Sequence, residues 1–228
     1  MTPTKSAGRV NAVIIQQVYK YYWWDDFKPL IDFAKPIHQA YADKWDMDYL
    51  TVVGNVREDW EAWHGGWAKV ELVRQMLEKG YEYVFWVDAD CLIADDRVDL
   101  REGAPEGIGM VLHDGPGTPG PHLNVGVMLI KNSEKVRRFI DEWITRYPGN
   151  NEFPWFEQGE IHKMKNDYPG VVFQIENKWN SCTHARTHVD DAVIEAWHGM
   201  GNGAERLAQM VEYVRQKAQS GSRPTGAR

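Results

Sequence analysis

The triplet Asp88-Ala89-Asp90 follows directly on Tyr83-Val84-Phe85-Trp86-Val87, an unbroken apolar run of the kind that a central parallel strand buries on both faces. Ligands of open α/β sheets bind beyond the carboxyl ends of the strands, and these two acids stand at such an end. Paired hard carboxylates there suit Mg2+ or Mn2+. A cation so held neutralises a nucleotide diphosphate as it leaves with the bonding electrons of a sugar. A second triplet of the same form, Asp46-Met47-Asp48, precedes its strand and so falls on the wrong side of the sheet. The alternative for Asp88 and Asp90 is to cap the following turn and stay solvated.

The elements that must position these acids read as alternating strand and helix. Val10 to Gln17 predicts a first strand and about Asp26 to Lys44 a helix, in which Pro29 is tolerated and Pro36 should introduce a kink. Asp48 to Val53 predicts the second strand of a parallel strand-helix-strand unit. Trp67 to Lys79 carries Val70, Val73, Met76 and Leu77 at helical spacing, closes at Gly80 and feeds the strand Tyr83 to Val87. Gly107 to Leu112 and Val125 to Ile130 predict strands on either side of a glycine- and proline-rich loop running from Asp114 to Pro121. Ser133 caps a helix to about Tyr147, Glu157 to Lys165 reads as a short helix, Val171 to Ile175 as a late strand and Ala204 to Lys217 as the last helix. The expected fold is α/β, a central, mostly parallel sheet flanked by helices. One domain is expected over residues 1–219, with a disordered tail over 220–228.

Five segments, in this order, resemble a known family: Trp67-Ala68-Lys69 opening a helix, Asp88-Ala89-Asp90 ending a strand, His122-Leu123-Asn124-Val125-Gly126 entering another, Glu157-Gln158, and His198-Gly199-Met200-Gly201. Together they look like GT-A glycosyltransferases of the galactosyl/xylosyl transferase group, relatives of the yeast mannosyltransferase-complex subunits and, more distantly, of glycogenin-like enzymes. The match runs over about residues 10 to 205. It implies the Rossmann-like GT-A fold and a retaining transfer of a hexose or pentose from a nucleotide-sugar, UDP-sugar before GDP-sugar, to a glycan or other hydroxyl acceptor. By that resemblance Asp88 and Asp90 face the ribose and the metal, and His198 completes the metal shell, with Gly199 and Gly201 beside it at the donor. Lys69 is implied to reach donor phosphate or sugar hydroxyls, and Asn124 and Gln158 to hydrogen-bond the transferred sugar. An imidazole ligand favours Mn2+ over Mg2+. The bland readings are a turn histidine at His198 and a solvated side chain at Lys69. Glu157 is open between a nucleophile, an acceptor clamp and a surface acid. Tyr19, Tyr21, Trp23 and Trp24 follow the first strand, where such a fold receives the nucleotide base. Tyr19 or a neighbour is therefore expected to stack on the base, against core packing as the alternative. The membrane anchor of eukaryotic members is not found in this sequence.

Eleven tryptophans are many for 228 residues. Trp60, Trp63, Trp155, Trp179 and Trp197 fall in predicted loops near the same sheet edge, which suggests stacking on an acceptor. Cys182, His184 and His188 have a zinc-like spacing, with Asp190 or Asp191 as a fourth ligand, although a polar loop is the plainer account. A formal charge of −7 argues against a protein held to nucleic acid by a basic face. It leaves a DNA acceptor, such as a modified base in a viral setting, as an expectation. No signal peptide or membrane span is predicted, and two cysteines fit a reducing cytoplasm, bacterial or viral within a host cell. Two rival functions follow from the same residues: a noncatalytic sugar- or nucleic-acid-binding module built on the tryptophans, and a nucleotidyltransferase. The latter needs a glycine-rich basic loop after the first strand, and Gln16 to Trp24 contains no glycine.

Overall fold

The computed structural model describes residues 11–18, 24–54, 56–57, 66–114, 120–148, 156–182, 185–199 and 201–219. Strand β1 (Ala12–Val18) leads through helix α1 (Trp24–Lys44) to β2 (Asp48–Val53), and helix α2 (Gly66–Glu78) precedes β3 (Tyr83–Val87) and the short β4 (Cys91–Ile93). Then come β5 (Ile108–His113), β6 (His122–Lys131), α3 (Glu134–Thr145), α4 (Phe156–Met164), β7 (Val172–Gln174), β8 (Ser181–Cys182), β9 (Ile194–Ala196) and α5 (Gly203–Gln219). Six strands form the main sheet in the order β2-β1-β3-β6-β5-β7. Only β6 runs against the others, pairing antiparallel with both β3 and β5, so the sheet is mostly parallel as expected.

The apolar runs of β1 and β3 are explained by helices on one face of this sheet and further elements on the other. Val13, Ile15, Val84 and Trp86 pack with Trp67, Val70 and Val73 of α2 and with Phe139 and Trp143 of α3. The alternate residues Ala12, Ile14, Phe85 and Val87 pack with Tyr41 of α1, Ile93 of β4, Trp179 and Ile194 of β9. Each large apolar side chain so removed from water contributes roughly 1.5–3 kcal/mol. The period of two therefore sorts one continuous hydrophobic stretch onto two cores.

Several boundaries differ from expectation. Helix α1 starts at Trp24 and runs unbroken through Pro29 and Pro36 to Lys44. β6 begins at His122, so His122, Leu123 and Asn124 belong to the strand. A second sheet, β4-β9-β8, was not predicted. Its strands have two or three residues, too few for a periodic signal, and they exist because distant segments pair. Trp179 and Trp197 are 3% and 2% exposed and pack in the core, which removes both from any stacking surface. Trp197 lies among Leu30, Ile37, Met210 and Val214, where α1 meets α5.

Candidate active site

At the end of β3 the chain turns tightly: Cys91 N–H donates to the Asp88 carbonyl at 3.1 Å, and Asp88 N–H donates to the Gly126 carbonyl at 2.8 Å. The two carboxylates on this turn face different partners. Asp88 takes Lys69 Nζ at 3.1 Å on Oδ1 and 3.3 Å on Oδ2, and Trp86 Nε1 donates to Oδ1 at 2.7 Å. Lys69 is buried, and its ammonium also lies 3.4 Å from Glu157 Oε1 and donates to the Val125 carbonyl at 3.4 Å. Lys69 thus stands as the shared counter-ion of two acids and not as a solvated lysine. Burial pushes the Glu157 carboxyl up, with Lys69 opposing that shift. The carboxylate fits there only because α2 opens on glycine, since a Cβ on Gly66 would come 2.2 Å from Glu157 Oε2.

Asp90 takes its partners from the C-terminal part of the chain. Its Oδ1 lies 3.3 Å from His198 Nδ1 and its Oδ2 2.6 Å from Arg206 Nη1 on α5. The backbone is fixed as well, because Trp197 N–H donates to the Asp90 carbonyl at 3.0 Å. Burial works against the charge on Asp90, but His198, Arg206 and Lys69 outweigh it and hold the carboxyl well below the usual range. Among the described residues, the group able to hold a metal ion is Asp90, Cys91 and His198, with ligand atoms within 4.8 Å of one another. The Cys91 thiol is pushed up by burial and by Asp90 and Asp88, so it is the protonated member of the three.

The orientation of His198 tests whether a cation suits this group. Its Nε2 is 3.2 Å from Asn180 Oδ1, while Asn180 Nδ2 donates to Asn124 Oδ1 at 3.0 Å and Asn124 Oδ1 also accepts from Gly126 N–H at 2.8 Å. This chain assigns the Asn180 oxygen to face His198, so the ring proton sits on Nε2. The Nδ1 lone pair then meets the Asp90 carboxylate, acceptor against acceptor, and only a cation or a second ring proton between them makes that contact favourable. A carboxylate oxygen and an imidazole nitrogen are donors that fit Mn2+ well. Gly126 leaves room for the ring: a Cβ there would lie 2.3 Å from His198 Cε1.

Asn124 and Gln158 sit at an irregularity in β6. From Gly109 to Val111 on β5 the partner on β6 jumps from Leu129 to Asn124, two residues against five. The backbone freed at Val125 and Gly126 is satisfied by side chains: Gln158 Oε1 accepts from Val125 N–H at 3.1 Å, beside the Lys69 and Asn124 bonds already given. Among the described residues no acceptor meets the amide nitrogen of either Gln158 or Asn124's Nδ2, which leaves both as donors. Gly199 and Gly201 follow His198 with φ of +71° and +43°, and the Gly201 carbonyl accepts from Arg206 Nη2 at 3.5 Å.

The structure therefore brings Lys69, Asp88, Asp90, Asn124, Glu157, Gln158 and His198 into one connected network, with Gly199 and Gly201 at its edge. Tyr19, Tyr21, Trp23, Trp60, Trp63, Trp155 and His184 lie outside the described residues, as does the side chain of Trp24. Cys182 turns its thiol toward the His198 carbonyl at 4.0 Å, whereas His188 faces Ser181, Glu195 and Asp190. Sequence reasoning missed Asn180 and Arg206. Asn180 carries no motif, and an arginine on an amphipathic helix reads as a solvated residue. The fold alone discloses that Arg206 is mostly buried against Asp90.

No protein-family model matches the chain. A 100-residue stretch is 30% identical to galactomannan galactosyltransferase 1 of Cyamopsis tetragonoloba, covering 40% of this chain and 23% of that protein. A 135-residue stretch is 27% identical to "probable glycosyltransferase 6" of Oryza sativa subsp. indica, covering 52% of this chain and 28% of the relative. The chain thus spans about a quarter of the length of these curated relatives. Among solved structures, a glycosyltransferase involved in the glycosylation of the major capsid of PBCV-1 superposes with a TM-score of 0.65 at 18% identity, over 88% of this chain and 98% of that one. Mouse xyloside xylosyltransferase 1 gives 0.51 at 11% identity, over 83% and 98%. The chain has the GT-A fold of these neighbours, as its motifs implied.

Proposed function

We propose that this protein is a metal-dependent glycosyltransferase that moves a hexose or pentose from a nucleoside-diphosphate sugar, UDP-sugar favoured, to a hydroxyl acceptor, with retention. The observation that carries the reading is the opposition of Asp90 Oδ1 and His198 Nδ1, 3.3 Å apart, beyond the carboxyl end of a central strand in a GT-A fold. Support comes also from the sequence relatives, whose names are those of glycosyltransferases, galactosyl transfer included.

Asp90 and His198 are the residues that would hold the ion, with Asp88 beside them. When bound, a divalent ion offsets the charge that develops on a diphosphate leaving group. Asn180 keeps the imidazole in one tautomer and one orientation. Lys69 neutralises half-buried Asp88 and buried Glu157 together, which argues against Glu157 as a free nucleophile. The amide nitrogens of Asn124 and Gln158, their oxygens already committed, are the groups available to hold sugar hydroxyls and so to orient the transferred ring.

A panel of UDP- and GDP-sugars, followed by release of the nucleoside diphosphate with and without Mn2+, tests this function. Turnover of at least one UDP-sugar that requires the ion, and that Asp90→Asn lowers by about 10²–10³-fold, is expected. Equal nucleotide release without metal, or none from any donor together with no Mn2+-dependent thermal shift by UDP, would overturn it. Glycan and modified-DNA acceptors belong in the same panel, because they accelerate release only if they accept the sugar.

A further inference from the structure

Behind the backbone of the aspartate turn lies a largely buried polar network that the proposed chemistry does not use. Gln16 on β1 and His38 on α1 are both 0% exposed. Gln16 Nε2 donates to the Asp88 carbonyl at 3.2 Å. Gln16 Oε1 faces His38 Nδ1 at 2.9 Å and accepts from the Tyr49 hydroxyl at 2.6 Å. On its other side His38 Nε2 accepts from the Ile93 N–H at 3.0 Å.

These partners leave His38 one arrangement. A backbone N–H can only donate, so Nε2 must be bare, and the ring proton must sit on Nδ1, where it donates to Gln16. Protonation would set an Nε2–H against the Ile93 N–H, and burial lowers the imidazole to about 3, so the ring is neutral at any ordinary pH. The result is a circuit. Its two ends grip the backbone at Asp88 and at Ile93, the first residue of the aspartate turn and the last of β4, and its middle is closed by one side-chain bond between β1 and α1. Tyr49, from the edge strand β2, adds a third strut to the same oxygen. Apolar side chains would have filled this space without the cost of burying an amide and an imidazole.

We infer that Gln16 and His38, braced by Tyr49, are positioning residues that set the backbone between Asp88 and Ile93 and thereby the direction of the Asp90 carboxylate. The inference rests on the proposed function only for its consequence at the metal, and the backbone restraint itself can be judged separately. The test compares wild type with Gln16→Met, His38→Phe and the mild Tyr49→Phe, which removes one hydroxyl from a half-buried position. Hydrogen exchange by mass spectrometry follows the peptide covering 88–93 against α3 as internal control, and Mn2+ binding is titrated by loss of the free-ion spin-resonance signal.

The expected result is exchange of the turn faster by about tenfold with α3 unchanged, and Mn2+ affinity weaker by about 10-fold for Gln16→Met and severalfold for Tyr49→Phe. His38→Gln, whose side-chain oxygen can again accept from Ile93, should recover part of both. Turn protection unchanged in Gln16→Met and Tyr49→Phe overturns the inference, as does a rise shared equally by α3, which marks a residue that merely stabilises the fold. If His38→Phe does not fold, the other two variants decide. Failure of the wild type to bind Mn2+ counts against the proposed function and leaves the exchange comparison to judge this one.

Discussion

Asp88 and Asp90 are separated by one residue, yet they live in different halves of the molecule. Asp88 answers to Lys69 on α2 and Trp86 on β3, both supplied by the first ninety residues, and shares its cation with Glu157. Asp90 answers to His198 and Arg206, more than a hundred residues further on. The alternation of a tight turn throws the first carboxylate toward the helices over the main sheet and the second toward the β9–α5 connection. On the first side a fixed internal cation already satisfies the acid. On the second, Arg206 Nη1 meets Asp90 Oδ2 at 2.6 Å, while Oδ1 faces His198 Nδ1 at 3.3 Å, a contact that a cation or a second ring proton would complete. The two acids are thus not two copies of one ligand: Asp88 is tied through Lys69 to the helices over the main sheet, and under the proposed function Asp90 is the one that would meet the ion.

Four changes would break or sharpen that contrast. Lys69→Met should cost about 3 kcal/mol of stability in urea unfolding, because it leaves buried Glu157 and half-buried Asp88 without a counter-ion, and Mn2+ should not restore it. A loss below 1 kcal/mol would erase the scaffold role given to the Asp88 side. Asp90→Asn, which keeps the shape and removes the charge, should lower turnover of the preferred UDP-sugar by about 10²–10³-fold. Because it also leaves Arg206 without its carboxylate, Mn2+ binding by the folded variant is the readout that separates it from Lys69→Met. An equal loss of Mn2+ binding in folded Lys69→Met would make the two acids equivalent. Asn180→Ala frees His198 to change tautomer and should weaken Mn2+ binding by about 10–100-fold, read by the same ion titration, with donor-sugar KM shifting less.

The smallest effect concerns pH. His38 has its imidazole lowered to about 3, below its value of 6.5 in the unfolded chain. The unfolded state therefore takes up the proton first. Its contribution to stability is fully present above pH 6.5 and is lost as pH falls from there toward the folded value. Between pH 7 and pH 5 this one group should remove about 2 kcal/mol, and His38→Gln should flatten that limb of the urea-unfolding profile. An unchanged slope in the variant would show that another group carries the acid sensitivity.

Much of the scaffold was legible because it rests on period and punctuation. Val70, Val73, Met76 and Leu77 with Gly80 mark α2 to within a residue or two, and the run from Tyr83 to Val87 marks β3 without error. Ser133 caps α3 as read, accepting from Val136 N–H. The second sheet was not legible, since β4, β8 and β9 are held by partners far away in the chain and not by their own propensity. Among the site residues, Asp88, Asp90 and His198 could be singled out by motif and order. Their partners Asn180 and Arg206 could not, nor could Gln16 and His38, which read as one more amide on a strand and one more histidine on a helix.

The amino-acid sequence by itself determined the alternation of strands and helices, the side of the sheet on which the acids stand, and the kind of chemistry paired carboxylates serve, because these depend on local spacing and residue type. Only the tertiary structure decided which acid faces Lys69 and which faces His198, that Trp179 and Trp197 belong to the core, and that β6 shifts register to release Asn124. The reason is that a hydrogen bond or ion pair is fixed by where atoms lie within about 3–4 Å, and residues a hundred positions apart come within that range only when the layers have packed.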